Sequence, residues 1–113
     1  WDLVDLAREY GRDRDPLIRQ QLAWAYAKMQ ILQLNQHSAA SVTDLLWGEY
    51  RRGLGVIATD IMGADALVRP DGEAYATSYW QHVLLSGPAE SVANGTGDLQ
   101  RTSIGEHLLG LPK

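Results

Sequence analysis

The 113-residue sequence contains no cysteine. This excludes a scaffold held by disulfides and any metal site with thiolate ligands, and it fits a reducing compartment. We therefore expect a cytoplasmic protein. No apolar run approaches the roughly 18 residues that a membrane-spanning helix needs, and no signal-peptide pattern is visible. The sequence therefore predicts no membrane partner.

An excess of basic charge is also lacking. Ten basic and 14 acidic side chains give a net charge of -4, with both signs interspersed along the chain. This pattern excludes a nucleic-acid surface, which needs a basic patch. Repeats and low-complexity segments are absent too, and the length suits one hydrophobic core. Because the chain starts at Trp1 rather than Met, we expect residues 1–113 to be an engineered piece, a processed product or the ordered remnant of a longer chain.

The sequence does contain strong helical periodicity. A short first helix covers about residues 3–10 and ends at the charged turn 11–14. Asp15 followed by Pro16 is a strong helix start, since the carboxylate accepts free amide protons and proline suits the first helical position. The second helix extends to about Gln36. Its apolar residues recur every three or four positions: Ile18, Leu22, Ala25, Met29 and Leu32.

A third helix is predicted from about residue 41 to residue 62. The hydroxyl of Ser41 would cap its start, and Gly63 would cap its end. Gly53 and Gly55 inside this helix cost helix propensity, which indicates a close packing contact or a local bend. The predicted buried face consists of Val42, Leu46, Tyr50, Leu54, Ile57 and Ile61.

Two further helices complete the prediction. The fourth runs from about residue 73 to residue 85 and is stopped by Ser-Gly-Pro at 86–88. Thr96 caps the last helix, and Asp98 in its first turn complements the helix dipole. Short connections and the lack of an alternating strand pattern favour an all-α, up-and-down helical bundle. The fourth helix is expected to turn three side chains inward: Tyr79, Trp80 and Val83.

The segment Asn-Gly-Thr-Gly-Asp-Leu-Gln-Arg at 94–101, followed by Leu-Gly-Leu-Pro at 109–112, carries the clearest motif. It resembles the C-terminal signature of the acyl-CoA dehydrogenase family, in which a Gly-Thr-Ser-Glu-Ile-Gln-Arg loop opens a helix that ends near Leu-Gly-Leu-Pro. Further blocks follow in the family's order: residues 15–23, 41–47, 60–63 and 80–81. The resemblance covers residues 15–113 and implies the family's C-terminal helical bundle domain.

This resemblance implies α,β-dehydrogenation of an acyl-CoA thioester with FAD as the hydride acceptor. A carboxylate removes the α-proton while hydride passes from the β-carbon to the flavin, which requires a base of moderate pKa in a water-poor site. The implied partners are an acyl-CoA substrate, an electron-transfer flavoprotein, and further dehydrogenase subunits in a homo- or hetero-oligomer.

The resemblance also implies which residues approach the cofactor, and the sequence departs from the family at several of them. Many members place the catalytic Glu just before Gly-Thr, but the neutral amide of Asn94 cannot accept a proton. No catalytic residue is therefore assigned. Asp60 replaces the Gln of the family's Gln-x-x-Gly turn, and its carboxylate would repel a pyrophosphate. The implied cofactor-binding residues are Asn94, Gly95, Thr96, Asp98, Asp60 and Gly63.

Three functions remain open. The leading one is a subunit, or part of one, of an FAD-dependent acyl-CoA dehydrogenase; the domain is expected to be inactive alone, because the family's strand domain is missing. The second is a non-catalytic subunit that assembles with an active one. The third is a related flavin oxidase.

Several other residues favour plain structural explanations. The Asn-Gly-Thr sequon at 94–96 favours a chance match over glycosylation, because no secretory signal accompanies it. We expect Arg101 to brace the loop or an interface. The three histidines, at 37, 82 and 107, lack metal-ligand spacing and should lie on the surface. The tryptophans are expected to be core or subunit-interface anchors: Trp24, Trp47 and Trp80.

Overall fold

The computed structural model describes residues 2–68, 78–93 and 95–112. Its helices are α1 (Asp2–Glu9), α2 (Pro16–Leu34), α3 (Ala40–Met62), α4 (Tyr79–Ala93) and α5 (Gly97–Ser103). A 3₁₀ turn at Gly63–Leu67 follows α3, and a π-helical turn at Ile104–Leu108 follows α5. No strand occurs among these residues, so the predicted all-α bundle is confirmed.

The start of α2 follows the sequence prediction. The Asp15 carboxylate accepts hydrogen bonds from the backbone amides of Leu17 (2.9 Å) and Ile18 (3.4 Å), and Pro16 is the first helical residue. A guanidinium nitrogen of Arg12 lies 2.7 Å from the same carboxylate and holds the pKa of Asp15 below its ordinary value. The turn and the helix start therefore form one hydrogen-bonded unit.

Of the two caps predicted for α3, the one at Ser41 is wrong and the one at Gly63 is confirmed. Ser41 is already the second helical residue, so it cannot act as the residue that precedes the helix. That position is held by Ala39, whose side chain makes no capping hydrogen bond. At the other end Gly63 has a φ of 59°, a left-handed conformation that suits glycine.

The fourth helix differs most from its prediction. Residues 73–77 lie outside the described residues, and α4 begins at Tyr79 behind Ser78, which exchanges hydrogen bonds with Gln81 in a capping box. The predicted stop at 86–88 is wrong, since the helix continues through Pro88 to Ala93. Packing against α3 on both sides of the proline, described below, outweighs its local helix-breaking effect.

The core lies where α1, α2 and α3 meet, and Trp80 of α4 packs against it. On α3 the predicted face is confirmed: Tyr50, Ile57 and Ile61 are buried, and the other three residues are half-buried. On α4, Val83 is fully buried and Trp80 is half-buried, as predicted. Tyr79 was predicted to face inward but is 61% exposed. As the first residue of α4, it lies edge-on against the Trp80 ring instead, with centroids 4.9 Å apart.

Gly53 and Gly55 inside α3 mark close packing, the first of the two predicted explanations. A Cβ on Gly55 would lie 2.6 Å from the Cα of Leu84, so α4 approaches α3 through backbone atoms there. A Cβ on Gly53 would meet the tip of the Trp24 ring from α2. Gly87 repeats the arrangement from the other side, since its Cβ would lie 3.3 Å from the Cα of Arg52.

We expect acid to weaken the contact between α3 and α4. Arg51 donates from two nitrogens to the two carboxylate oxygens of Glu90, at 2.9 and 3.1 Å, and these hydrogen bonds hold the pKa of Glu90 below its ordinary 4.5. Because this pKa is lowered by folding, the pair stabilises the protein fully above pH 4.5 and loses its effect as the pH falls through the folded-state pKa. Glu90→Gln should cost about 1 kcal/mol in urea unfolding at pH 7.

As the pH falls from about 5 to 3, the free energy of unfolding of Glu90→Gln should also decrease less than that of the wild type. Glu9→Gln is the matched control, because Glu9 lies exposed on α1 and forms no ion pair with a described residue. Identical pH profiles for the wild type and Glu90→Gln would show that the ion pair does not couple protonation to folding.

Candidate functional site

The first group of predicted cofactor-binding residues forms the entry to α5. Thr96 is the N-terminal cap of this helix, as predicted, and its hydroxyl accepts from the amide of Leu99 at 3.4 Å. Gly95 has a φ of 104°, which strongly favours glycine. Asp98 lies in the first turn, and its side chain is 98% exposed. Asn94 lies outside the described residues, so its role stays a prediction.

The loop before α5 packs on the first half of α3. A Cβ on Gly97 would lie 3.6 Å from Cδ1 of Leu45. Between the two elements lies a polar cavity of about 230 Å³, smaller than a complete small-molecule pocket of roughly 300–1,000 Å³. It can therefore form one wall of a cofactor site but not enclose a dinucleotide. Its lining includes the charged and amide side chains of Asp44, Glu49, Arg52, Asp98, Gln100 and Arg101.

A chain of ion pairs holds this loop in place. Glu49 on α3 pairs through one oxygen with Lys28 of α2 at 3.2 Å and through the other with Arg101 of α5 at 3.0 Å. Arg101 also lies 3.5 Å from Asp98. A Cβ on Gly97 would come within 3.1 Å of the Arg101 guanidinium, so glycine there leaves room for it. The expected bracing role of Arg101 is confirmed, and three helices share the brace.

Asp60 and Gly63, the second predicted group, lie at the far end of α3. The Asp60 carboxylate accepts from the Gln21 side chain at 2.6 Å, and its backbone carbonyl accepts from the Arg12 guanidinium. A helix rises about 1.5 Å per residue, which puts Asp60 about 22 Å from Leu45 along the axis. A single chain therefore does not bring the two predicted groups together.

A groove between α2 and α3 was missed by the sequence analysis. Its volume is about 730 Å³, and it is lined by Leu17, Gln20, Gln21, Trp24, Glu49, Arg52, Gly53, Val56 and Ile57. The signal was present as a second apolar stripe. Leu17 and Trp24 each precede a buried residue of α2 by one position, and Val56 does the same on α3, a rotation of about 100°.

Two of the tryptophans and all three histidines are exposed. Trp24 and Trp47 are 39% and 48% exposed, so the core part of their prediction is wrong and the interface part stays open. Trp24 belongs to the second stripe, which lines the groove. The predicted surface position of the three histidines is confirmed, since all are exposed.

No three His, Asp or Glu side chains among the described residues are grouped as a metal site would need. No helix in this part of the chain is long and apolar enough to cross a membrane.

Comparison with known proteins agrees with the motif analysis. No protein-family model matches the chain, and no solved structure matches it significantly. The chain is 36% identical, over 99% of its length, to the acyl-CoA dehydrogenase IpdE1 of Mycobacterium tuberculosis, and 33% identical to the protein of the same name from Mycolicibacterium smegmatis. It spans 31% and 30% of the lengths of these relatives. The resemblance recognised in its motifs is thereby confirmed: the chain is similar to part of two acyl-CoA dehydrogenases.

Proposed function

We propose that this chain is part of an FAD-dependent acyl-CoA dehydrogenase, supplies a helical bundle and one wall of the flavin site, and is inactive alone. The observation that carries this proposal is the brace of Lys28, Glu49 and Arg101, which fixes the loop at 95–98 against α3. A loop that meets a cofactor must be held in one conformation, and three helices hold this one. The match to two dehydrogenases supports the chemistry.

The residues near the cavity fit a cofactor edge rather than a catalytic centre. Bound FAD would accept hydride from the β-carbon of the acyl group. Backbone and side-chain atoms from Gly95 to Asp98 would lie against it, and Arg52, which pairs with no described carboxylate, would face the same cavity. Glu49 and Asp98 are already engaged with guanidinium or ammonium groups, whereas Asp44 lines the cavity without an ion pair to a described residue. The resemblance matches no carboxylate of this chain to the family's catalytic base, so we assign no general base to it, and the base would come from another part of the protein.

The second function, a non-catalytic subunit that assembles with an active dehydrogenase, is favoured by the surroundings of Asp60. Its carboxylate is engaged by Gln21 and its carbonyl by Arg12, so this position serves the bundle itself. The acyl-CoA substrate, the electron-transfer flavoprotein and the homo- or hetero-oligomer belong to the proposal in both cases. No feature of the described residues tests a flavin oxidase.

Replacing Asn94 with Glu should not create activity in this chain alone. The substitution restores the carboxylate that many family members carry just before Gly-Thr, but the strand domain that completes the site in the family would still be missing. We expect turnover of an acyl-CoA with an artificial electron acceptor to stay at background, in the variant and in the wild type. Measurable turnover of Asn94→Glu would mean that this chain holds far more of the site than proposed.

A native mass spectrum of the protein purified from its source tests the proposed function as a whole. We expect a complex heavier than the 12.5 kDa of this chain, with FAD bound. A second type of polypeptide in that complex would favour the heteromeric dehydrogenase. A bare 12.5 kDa species without flavin would contradict the proposal.

A further inference from the structure

Pro88 divides α4 into two halves that contact the bundle in different ways. In the first half Gly87 is buried, and a Cβ on it would lie 3.3 Å from the Cα of Arg52. In the second half, at residues 88–93, none of the residues whose burial the structure describes is buried, and Val92 is 56% exposed. The first half is therefore packed into the bundle, whereas the second half lies on its surface.

The backbone between these two halves is weakened by the proline inside the helix. The nitrogen of Pro88 carries no hydrogen, so it cannot donate to the carbonyl of Leu84 one turn earlier, and its ring crowds that carbonyl. Gly87 has no Cβ to restrict rotation of the backbone. Sharp bends in helices occur at prolines and glycines. Residues 87–88 are therefore the place where α4 bends most easily.

Two ion pairs with α3 hold the chain beyond this point. Arg51 donates from two nitrogens to Glu90, at 2.9 and 3.1 Å. Further along the chain, Arg101 of α5 lies 3.0 Å from Glu49. The side chains of Glu90 and Arg101 are 34% and 57% exposed, so water and salt compete with both pairs. These contacts can therefore break without disturbing the core.

The polar cavity lies between this part of the chain and α3. We call residues 88–93 and 95–103 the strap. Gly97 and Gln100 of the strap form one side of the cavity, and α3 with Arg52 forms the other. Its volume of about 230 Å³ is below the roughly 300–1,000 Å³ of a small-molecule site. A ligand of ordinary size must therefore displace the strap to enter.

We propose that the strap is a lid over the polar cavity, which turns about residues 87–88 and is held closed on α3 by its two ion pairs. Opening would enlarge the cavity and expose Arg52, which pairs with no described carboxylate, to an anionic ligand. A flavin as that ligand rests on the proposed function, but the movement of the strap does not. The lid and the dehydrogenase assignment can therefore fail separately.

Distances between two spin labels, measured by double electron–electron resonance, test this movement on the 113-residue chain. The chain contains no cysteine, so only introduced cysteines are labelled. One label is attached through Ala23→Cys, at an exposed position of α2, and the other through Val92→Cys in the strap. The half-helix at residues 88–93 is about 9 Å long, so a turn of about 30° moves its end by about 5 Å. In Glu90→Gln we expect a second population of distances, shifted by up to about 5 Å from that of the wild type.

Breaking both ion pairs should open the strap further. Adding Arg101→Gln to Glu90→Gln should make the shifted population the main one. In the wild type, raising the salt concentration from about 0.1 to 1 M shortens the screening length from about 10 to 3 Å and should also populate the shifted distance. This second measurement needs no substitution, so it decides the question even if a variant does not fold.

Pro88→Ala tests where the strap turns. Alanine restores the backbone hydrogen bond to Leu84 and removes the ring that crowds its carbonyl, so α4 becomes harder to bend. Combined with Glu90→Gln, it should reduce the shifted population at least about tenfold. A shifted population that Pro88→Ala leaves undiminished would contradict a turning point at residues 87–88.

Two controls separate movement of the strap from other effects. Leu85→Cys in place of Val92→Cys puts the second label on α4 before the turning point, at a position that is 67% exposed. Its distance from the label on α2 should stay the same in every variant and at both salt concentrations. Glu9→Gln makes the same change of charge at an exposed position of α1 and should leave the Val92 distance unchanged.

Three results would overturn the proposal. The first is a Val92 distance that neither the double variant nor high salt changes. The second is an equal shift of the Leu85 label, because all of α4 would then move as one body. The third is an equal shift in Glu9→Gln, which would assign the movement to net charge rather than to the ion pairs.

Discussion

Ile57→Asp should unfold the bundle. Ile57 is 4% exposed in the cluster where α1, α2 and α3 meet, and the described residues offer no cation to pair with a carboxylate inside it. Leaving a buried charge unpaired costs about 4 kcal/mol, a large share of the stability of a small domain. The measurement is a urea unfolding curve followed by circular dichroism. We expect little or no folded protein at 25 °C.

Two comparisons make this result specific. Leu85→Asp introduces the same carboxylate on α4 at a position that is 67% exposed, and it should change stability by no more than about 0.5 kcal/mol. Leu46→Asp, at a half-buried position of the same face of α3, should fall between the two. An unchanged melting temperature for Ile57→Asp would show that the face of α3 has been assigned wrongly.

Gly55→Ala should destabilise the protein by about 2 kcal/mol or more, although alanine favours a helix by about 1 kcal/mol over glycine. The added Cβ would lie 2.6 Å from the Cα and 2.9 Å from the backbone nitrogen of Leu84. A side-chain tip could rotate away, but these are backbone atoms of a packed helix. The only relief is to separate α3 from α4, which opens the close contact between these two helices.

Gly105→Ala is the matched control for this substitution. Gly105 also lies in a helical turn, but its Cβ would make an ordinary contact of 3.7 Å with Cδ1 of Leu111. We expect the variant to be as stable as the wild type or slightly more stable, as measured by the urea midpoint. If both alanine variants behave alike, the close approach of α4 to α3 is not as tight as these distances require.

Sequence rules that apply within one helix predicted the features of the fold that depend on neighbouring residues of the same helix. The cap at Asp15, the buried face of α3 and the close packing at Gly55 all follow from residue type and spacing within one helix. The stop at Pro88 failed because the forces that keep α4 helical come from α3, through Leu84 on one side and Glu90 on the other. Such contacts join residues more than 25 positions apart and leave no local signal.

In the candidate site, too, the features set within one helix were predictable, and the contacts between helices were not. Its loop was found through resemblance to a family, and the cap at Thr96 through local rules. The brace was not predictable as a whole, because Lys28, Glu49 and Arg101 come from three helices and each fits an ordinary surface charge when considered alone. The groove was missed because each helix was assigned one apolar stripe, whereas α2 has a second one through Leu17 and Trp24 and α3 exposes Val56 beside its buried face.

Arg52 and Glu49 line both the groove and the polar cavity, so the two openings share a wall. One guanidinium cannot direct its full set of donors into both openings at once. A carboxylate that recruited Arg52 into the groove would withdraw it from any anion in the cavity. Binding in one opening would therefore weaken binding in the other by the same factor in both directions.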